Sequence, residues 1–486
     1  MWRNYVICVL IGLLIATSLS SLTLLRQTQT TQSQTDQLRQ RAVAAEATSS
    51  SLQQQAGQAN GAPPAGNAIA TQPAVTPTPQ GVSIANVAPR PTTAAAPEPT
   101  VTSADSPILS QIESDVVNLR GLQPKDPVPI QFVDQTALNN LYRDRFNQDY
   151  TASERESDQK LLTTLGLIGP NDTVAQILLG VLQEQILGLY SQDDKTMYLL
   201  SDRGQFGPDE KDTFAEEYDH ALQDQYYDLS ALVPRNPDND DRSLAAQALI
   251  QGDATLIERL WAQQNLSQAE LSQLGQGGGT SKLLSAPLFL REQLLFPYGD
   301  GFNFVRQVYQ TSGYAGVDDV FRDPPQSTAQ ILHIDKYRNH VAPLEVDLPD
   351  LSQGALGGGW REISSNVFGE LDLRLIVTQL IDSTTGVRAT DGWSGDRWEL
   401  LEKDGQQALV TKSQWDTDAQ ATAFFQAFAQ AMQNRYFGAQ VESATDTRAA
   451  LTATNAATEV RKSGNTVVAV ISFDRPTAEA IANAVS

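Results

Sequence analysis

The chain has 486 residues and a formal charge of −23, with 57 acidic against 34 basic side chains, a size that predicts two or three domains. Residues 1–105 hold only 4 of the acidic and 5 of the basic groups, so the negative charge belongs to the remainder; such an acidic surface excludes charge-driven binding of nucleic acid and of anionic membrane there. The single cysteine, Cys8, excludes an intramolecular disulfide and any thiol-based metal or nucleophile site in the later part.

Residues 1–25 read MWRNYVICVLIGLLIATSLSSLTLL. A signal peptide fits, with small residues at Ala16-Thr17-Ser18 for cleavage. An uncleaved anchor also fits, because residues 5–25 are long enough to cross a bilayer. The expectation is the anchor, with Arg3 inside and everything after residue 25 exported. Ile7 before Cys8 excludes a lipoprotein. Residues 26–105 are rich in Gln, Thr, Ala, Ser and Pro, as in QTQTTQSQTDQ and TQPAVTPTPQ. Too few large apolar groups are present to offset chain entropy, so this segment is expected to be a disordered tether.

The folded part is expected from about Ser106. SPILSQIESDVVNLRGL predicts a helix, PVPIQFVDQTALNNLYRDRF a strand and then a helix, TVAQILLGVLQEQILGLYSQ a long apolar helix and KTMYLLSD a strand. Pro208, followed by Asp209 and Glu210, starts the next helix. DRSLAAQALIQGDATLIERLWAQQ predicts a further amphipathic helix capped by Ser243. Its Gly252 disfavours a helix by roughly 1 kcal/mol relative to Ala and implies close approach of another backbone. PLFLREQLLFPYGDGFNFVRQVYQTSGYAGVDDVF holds two helical segments. Beyond about residue 348 a helix (VFGELDLRLIVTQLI) precedes a hairpin (DRWELLEKD, QALVTKSQ) and another helix (DTDAQATAFFQAFAQAMQNRY). A second hairpin turning at Ser463-Gly464-Asn465 and a last helix follow, which together read as an α+β unit.

The helix that starts at Pro208 carries FAEEYDHALQDQYYDL, with one of only three histidines. At 100° per residue, Thr213, Glu216, Glu217, His220, Gln223, Asp224 and Tyr227 share one face, opposite Phe214, Tyr218, Ala221 and Leu222. Taken alone, that polar face predicts a solvated helix surface. In helical zincins, H-E-x-x-H puts two imidazoles on one face to bind zinc while the glutamate activates a metal-bound water. Here Glu216-Glu217-Tyr218-Asp219-His220 fills the base and second-histidine positions and puts glutamate in the first.

On these residues the chain resembles bacterial, often exported or membrane-anchored, metallopeptidases of gluzincin type. Their motif helix reads H-E-Y-x-H-A-L-Q-D-Q against EEYDHALQDQ here, and their next helix A-L-x-E-G-D-A-T against ALIQGDAT. LGLYSQDDKTMYL, LLFPYGDGFNFV, PPQSTAQILHIDKY, GELDLRLI, GWSGDRWEL and WDTDAQATAFF extend the likeness from about residue 110 to 436. The resemblance implies an α+β fold: a mainly helical zincin-like metallopeptidase core over residues 106–347, followed by a smaller α+β portion over 348–486. It makes Glu216, His220 and Gln251 the inherited metal-ligand positions and Glu217 the general-base position. Ala329 replaces another family acid.

An amide oxygen at Gln251 binds zinc poorly, and a Glu216, His220 and Gln251 set suits a harder divalent ion better. The expected function is therefore an extracytoplasmic, membrane-anchored metallopeptidase homologue without catalysis and without a tightly bound cofactor. Its expected partners are the membrane, through residues 5–25, and a peptide or protein ligand in the old cleft. The rival expectation is an active metal-dependent peptidase with this Glu/His/Gln shell, holding zinc or another divalent cation. Asp253 is the expected group that orients His220, and His333 a further candidate in the surrounding shell. His340, Asp219 and Asp224 are expected at the surface.

Overall fold

A computed structural model describes residues 106–486 except 170, 201–205, 235–238, 276–280 and 353–355. The expected anchor, cleavage site and tether lie outside the described residues. No helix among the described residues is long and apolar enough to cross a membrane.

The fold is α+β. Helices dominate up to residue 338, and a seven-stranded antiparallel sheet with its flanking helices follows. A first helix, Ser106–Arg120, leads to strand β1 (Ile130–Val133), three helices (Gln135–Asp149, Ala152–Leu165, Val174–Gln185) and strands β2 (Gly188–Ser191) and β3 (Thr196–Leu200). These strands form a small sheet in the order β1-β3-β2, with β1 parallel and β2 antiparallel to β3. The apolar run expected to be one long helix thus stops at Gln185 and becomes a strand at Gly188. Continuous apolarity does not separate a buried helix from a buried strand, and here pairing with β3 decides.

The motif helix, Pro208–Tyr227, and a partner helix, Asp240–Asn265, form the centre of this half. The partner helix is capped by Asn239, whose side chain accepts from Arg242 N at 2.9 Å; Ser243, the expected cap, lies inside it. Helix Leu288–Phe296 runs through a π turn, Pro297–Gly301, into helix Phe302–Arg322. The π turn packs on the partner helix at two glycines. A Cβ on Gly252 would lie 2.4 Å from Gly301 O, and one on Gly301 would lie 2.2 Å from Ala248 O. The backbone approach expected at Gly252 is therefore present, and the partner backbone is the π turn.

The large sheet has the order β4-β5-β6-β10-β9-β8-β7, with β4 at Arg361–Asn366, β5 at Trp393–Lys403, β6 at Gln406–Trp415, β7 at Gln440–Ala444, β8 at Arg448–Ala453, β9 at Ala456–Ser463 and β10 at Thr466–Ser472. The two expected hairpins are β5–β6, closed by Asp404-Gly405 at positive φ, and β9–β10. Strands β4, β7 and β8 were not expected: REISSN and QVESA are polar, and RAALTA mixes polar ends with small residues. One hydrophobic cluster runs from Tyr142 and Leu178 through Leu249 and Phe304 to Trp398, Phe424 and Ile471, so the helical half and the sheet share a core. A second cluster packs the apolar face of the motif helix (Phe214, Tyr218, Leu222) on Leu109, Val116, Met197, Ile257 and Trp261.

Candidate functional site

The polar face of the motif helix is not solvated. Glu216, Glu217, His220 and Gln251 are 3, 1, 1 and 3 % exposed, and Asp219 and Asp224, expected at the surface, are buried as well. The wheel shows that the face is polar. It does not show that the partner helix, strand β2 and the π turn cover it.

Gln251 is the junction. Its Nε2 donates to Glu216 Oε1 at 2.5 Å, and the amide also lies within hydrogen-bonding reach of the His220 ring. Its Oε1 has no hydrogen-bond partner among the described residues. The three positions that the resemblance makes metal ligands thus come together, though with an N–H aimed at a carboxylate.

His220 is oriented from behind. Its Nδ1 lies 2.9 Å from Gln223 Oε1. Gln223 Nε2 faces only acceptors: Asp219 Oδ2 at 2.9 Å, Asp253 Oδ2 at 3.1 Å and Ile250 O at 3.1 Å. That assigns the amide orientation, so Nδ1 carries the imidazole proton and Nε2 holds the lone pair. Burial pushes His220 down to about 4, against contacts with Gln223 and Gln251 and the charge of Asp224, so the ring is neutral at pH 7. Asp253 reaches His220 through Gln223 rather than directly.

Arg120 closes this network. It is fully buried and donates to Asp253 Oδ2 at 2.9 Å and Asp318 Oδ1 at 2.7 Å, with Asp219 at 3.9 Å. Burial opposes its charge, but those three carboxylates together raise its pKa.

Glu217 Oε2 accepts from Tyr190 N of β2 at 2.7 Å, while its Oε1 has no partner among the described residues. Burial holds its carboxyl well above the ordinary range. Burial also raises Glu216, joined by the charges of Glu258 and Glu217. Asp212 and Glu258 are hydrogen-bonded to each other. Asp212 is raised by burial and by Glu258; Glu258 is pushed up to about 7 by burial, against its bond to Asp212 and the charge of Arg259. Tyr298, on the π turn, is buried and raised by burial and by the charges of Glu216 and Glu217. Its place beside both acids gives the π turn a role in the site, as such turns often have.

His333 lies elsewhere: its Nε2 is 2.8 Å from Glu370 Oε1, a carboxylate also held by Arg374. The exposed His340 faces Asp323. Among the described residues, neither forms a hydrogen bond or ion pair with the Glu216–His220–Gln251 group.

Several residues of the site were not singled out in the sequence. Asp212 and Glu216 are four apart, and Glu258 is seven beyond Gln251, so helical spacing places each on its neighbour's face. Gln223 and Tyr298 sit inside the quoted motifs. Arg120 had no signal, because only the tertiary fold carries it across 133 residues to Asp253.

A zinc site of the type the resemblance implies needs three lone-pair donors aimed at one point. Here the third position offers an N–H that already engages the first, and no group of three His, Cys, Asp or Glu side chains suited to a metal ion occurs among the described residues. The donor set does not fit zinc.

Residues 358–483 match a family model described as a domain of unknown function, DUF8575. No curated protein matches the chain. Among solved structures the chain is similar to one from Chloroflexus aurantiacus titled as "a putative hydrolase with a novel fold", with 16 % identity, over 48 % of this chain and 88 % of that one, and a TM-score of 0.32.

Proposed function

We propose that this chain is a non-catalytic metallopeptidase homologue, anchored through residues 5–25 and exported beyond them, that works as a peptide- or surface-binding protein. The observation that carries the loss of catalysis is the Gln251 Nε2 to Glu216 Oε1 bond of 2.5 Å. Two ligand positions satisfy each other there, and water activation requires a tightly held Lewis acid that both would have to bind. The reading of the centre as metallopeptidase-derived rests on the motif resemblance and on the convergence of Glu216, His220 and Gln251. Export and anchoring rest on residues 1–25.

The rival, a working peptidase, is favoured by the base and imidazole positions. Glu217 has a free buried oxygen, and His220 is neutral with its Nδ1 proton engaged, as a metal-bound histidine would be. Metal analysis of the full chain in detergent decides between the two. We expect well under one equivalent of zinc and no chelator-sensitive peptide hydrolysis; stoichiometric zinc with such hydrolysis overturns the proposal. The double variant Glu216→His, Gln251→Glu removes the amide bridge and restores three lone-pair donors, and should gain zinc. If it stays metal-free while folded, the derivation of this centre from a metallopeptidase fails.

A further inference from the structure

A cleft of about 850 Å³ is lined among others by Arg242, Asp347, Glu362, Arg397 and Glu399. Its floor is the face of β4 and β5 that carries Ser365, Arg397 and Glu399. Its wall is residues 342–350, an extended segment without regular secondary structure. Leu344 N of that segment donates to Ser394 O at 2.7 Å, and Gly395 lets it approach, since a Cβ there would lie 2.3 Å from Leu344 O.

Glu399 is the unusual group. It is 7 % exposed and lines the cleft, yet it accepts no hydrogen bond among the described residues. Arg397, two residues before it on the same strand face, donates instead to Ser365 Oγ at 3.1 Å. The residue is largely buried, yet its carboxylate is open to the cleft, where a ligand's donor can reach it. The groups facing it are Glu362 on β4, Asp350 on the wall segment and Arg397 on β5, with Glu345, Asp347 and Arg242 elsewhere in the lining. Burial first, then Glu362 and Asp350, push Glu399 up to about 7, against Arg397.

We infer that this cleft binds an extended peptide through a lysine or arginine side chain whose cationic head pairs with Glu399, flanked by Glu362 and Asp350. The unpaired acid asks for a donor, and the acids around it ask for that donor to be positive. The volume fits several residues rather than a bare ion, and no metal-binding trio occurs among the described residues. The inference deepens the binding reading above and moves the ligand away from the buried Glu216–His220–Gln251 group.

The test is calorimetry of the full chain in detergent at pH 7 with the blocked peptide Ala-Lys-Ala-Lys-Ala, its norleucine counterpart as control, in two buffers of different ionisation enthalpy. We expect the lysine peptide to bind with release of a proton from Glu399, and the norleucine peptide not to bind. Glu399→Gln should weaken binding about tenfold or more and abolish the proton release, while Glu442→Gln, an exposed acid on β7, changes affinity by less than about twofold. Glu399→Gln loses a buried charge and should melt no lower than the parent. If it does fail to fold, Glu362→Gln serves in its place, with a smaller loss expected. Equal binding of the norleucine peptide, or unchanged binding by Glu399→Gln, overturns the inference. Chelator-sensitive cleavage of the lysine peptide would instead defeat the non-catalytic reading and leave the cleft assignment standing.

Discussion

Replacing Arg120 with methionine tests whether the charges behind His220 are arranged as described. Arg120 lies 2.9 Å from Asp253, 2.7 Å from Asp318 and 3.9 Å from Asp219. At an effective dielectric of about 20, the two closest pairs are each roughly 6 kcal/mol of gross attraction and the third roughly 4. The net loss is smaller, because orphaned carboxylates take up protons; breaking a buried ion pair from one side costs about 3–5 kcal/mol. Asp219 and Asp253 are already raised by burial with Arg120 pulling the other way, so removing Arg120 raises both further. Stability from a raised acid is present below its unfolded value near 4 and is lost as pH rises through its folded value. Arg120→Met should therefore lose about 3–5 kcal/mol at pH 7.5 and clearly less at pH 5, measured by urea unfolding at both. A loss under about 1 kcal/mol, or one independent of pH, refutes the arrangement. Asp219 and Asp253 would then not be the charged acceptors that orient Gln223, and the proton on His220 Nδ1 would lose its support.

Gly252→Ala gains roughly 1 kcal/mol of helix propensity, but its methyl would meet Gly301 O at 2.4 Å and Gly301 C at 2.5 Å. Backbone cannot swing aside, so we expect net destabilisation of about 2 kcal/mol by chemical denaturation, and a neutral or stabilised variant counts against the packed π turn. Proton NMR should show the His220 ring titrating at about 4. Its lowered value gives stability that is present above pH 6.5 and lost, up to about 3 kcal/mol, as pH falls toward 4. From pH 6.5 to 8 the raised acids dominate, Glu258 and Glu399 at about 7 among them. The urea midpoint should fall across that window, by about 1.4 kcal/mol per pH unit for each proton released on unfolding; a midpoint that rises there contradicts the buried acids.

Local elements with strong periodicity were legible in the sequence. The motif helix, the partner helix and the two hairpins with Asp404-Gly405 and Ser463-Gly464-Asn465 turns each declare themselves within about twenty residues. What was not legible is set by distance in sequence. LGLYS becomes a strand because Thr196–Leu200 pairs with it. β4 is polar and forms because β5 offers it an edge. The site divides in the same way. Helical spacing gathered Glu216, Glu217 and His220, and the resemblance added Gln251. The environment that decides their chemistry comes from Tyr190 N, Tyr298 and Arg120, none of which lies on either helix. A wheel reports which residues share a face, and only the fold reports what covers that face.

The two functional readings differ in what neutralises the centre. Glu258 and Glu216 raise Asp212, and Glu258 and Glu217 raise Glu216, while the charge of Arg259 lowers Glu258. Three buried carboxyls and the half-buried Glu258 so placed cannot all be ionised without compensation. A peptidase meets that need with a dication, which lowers its ligands' pKa values and releases protons on binding. The arrangement here meets it with protons: the acids are raised, Asp212 and Glu258 share a hydrogen bond, and the Gln251 amide stands where a ligand would. Protons and metal therefore compete for one group of oxygens, and the competition has a sign. Any divalent ion that enters must do so more readily at pH 9 than at pH 6, with proton release. A centre whose metal content is full at pH 6 would have its acids ionised around the ion and the amide bridge opened, which is the peptidase and not the closed homologue.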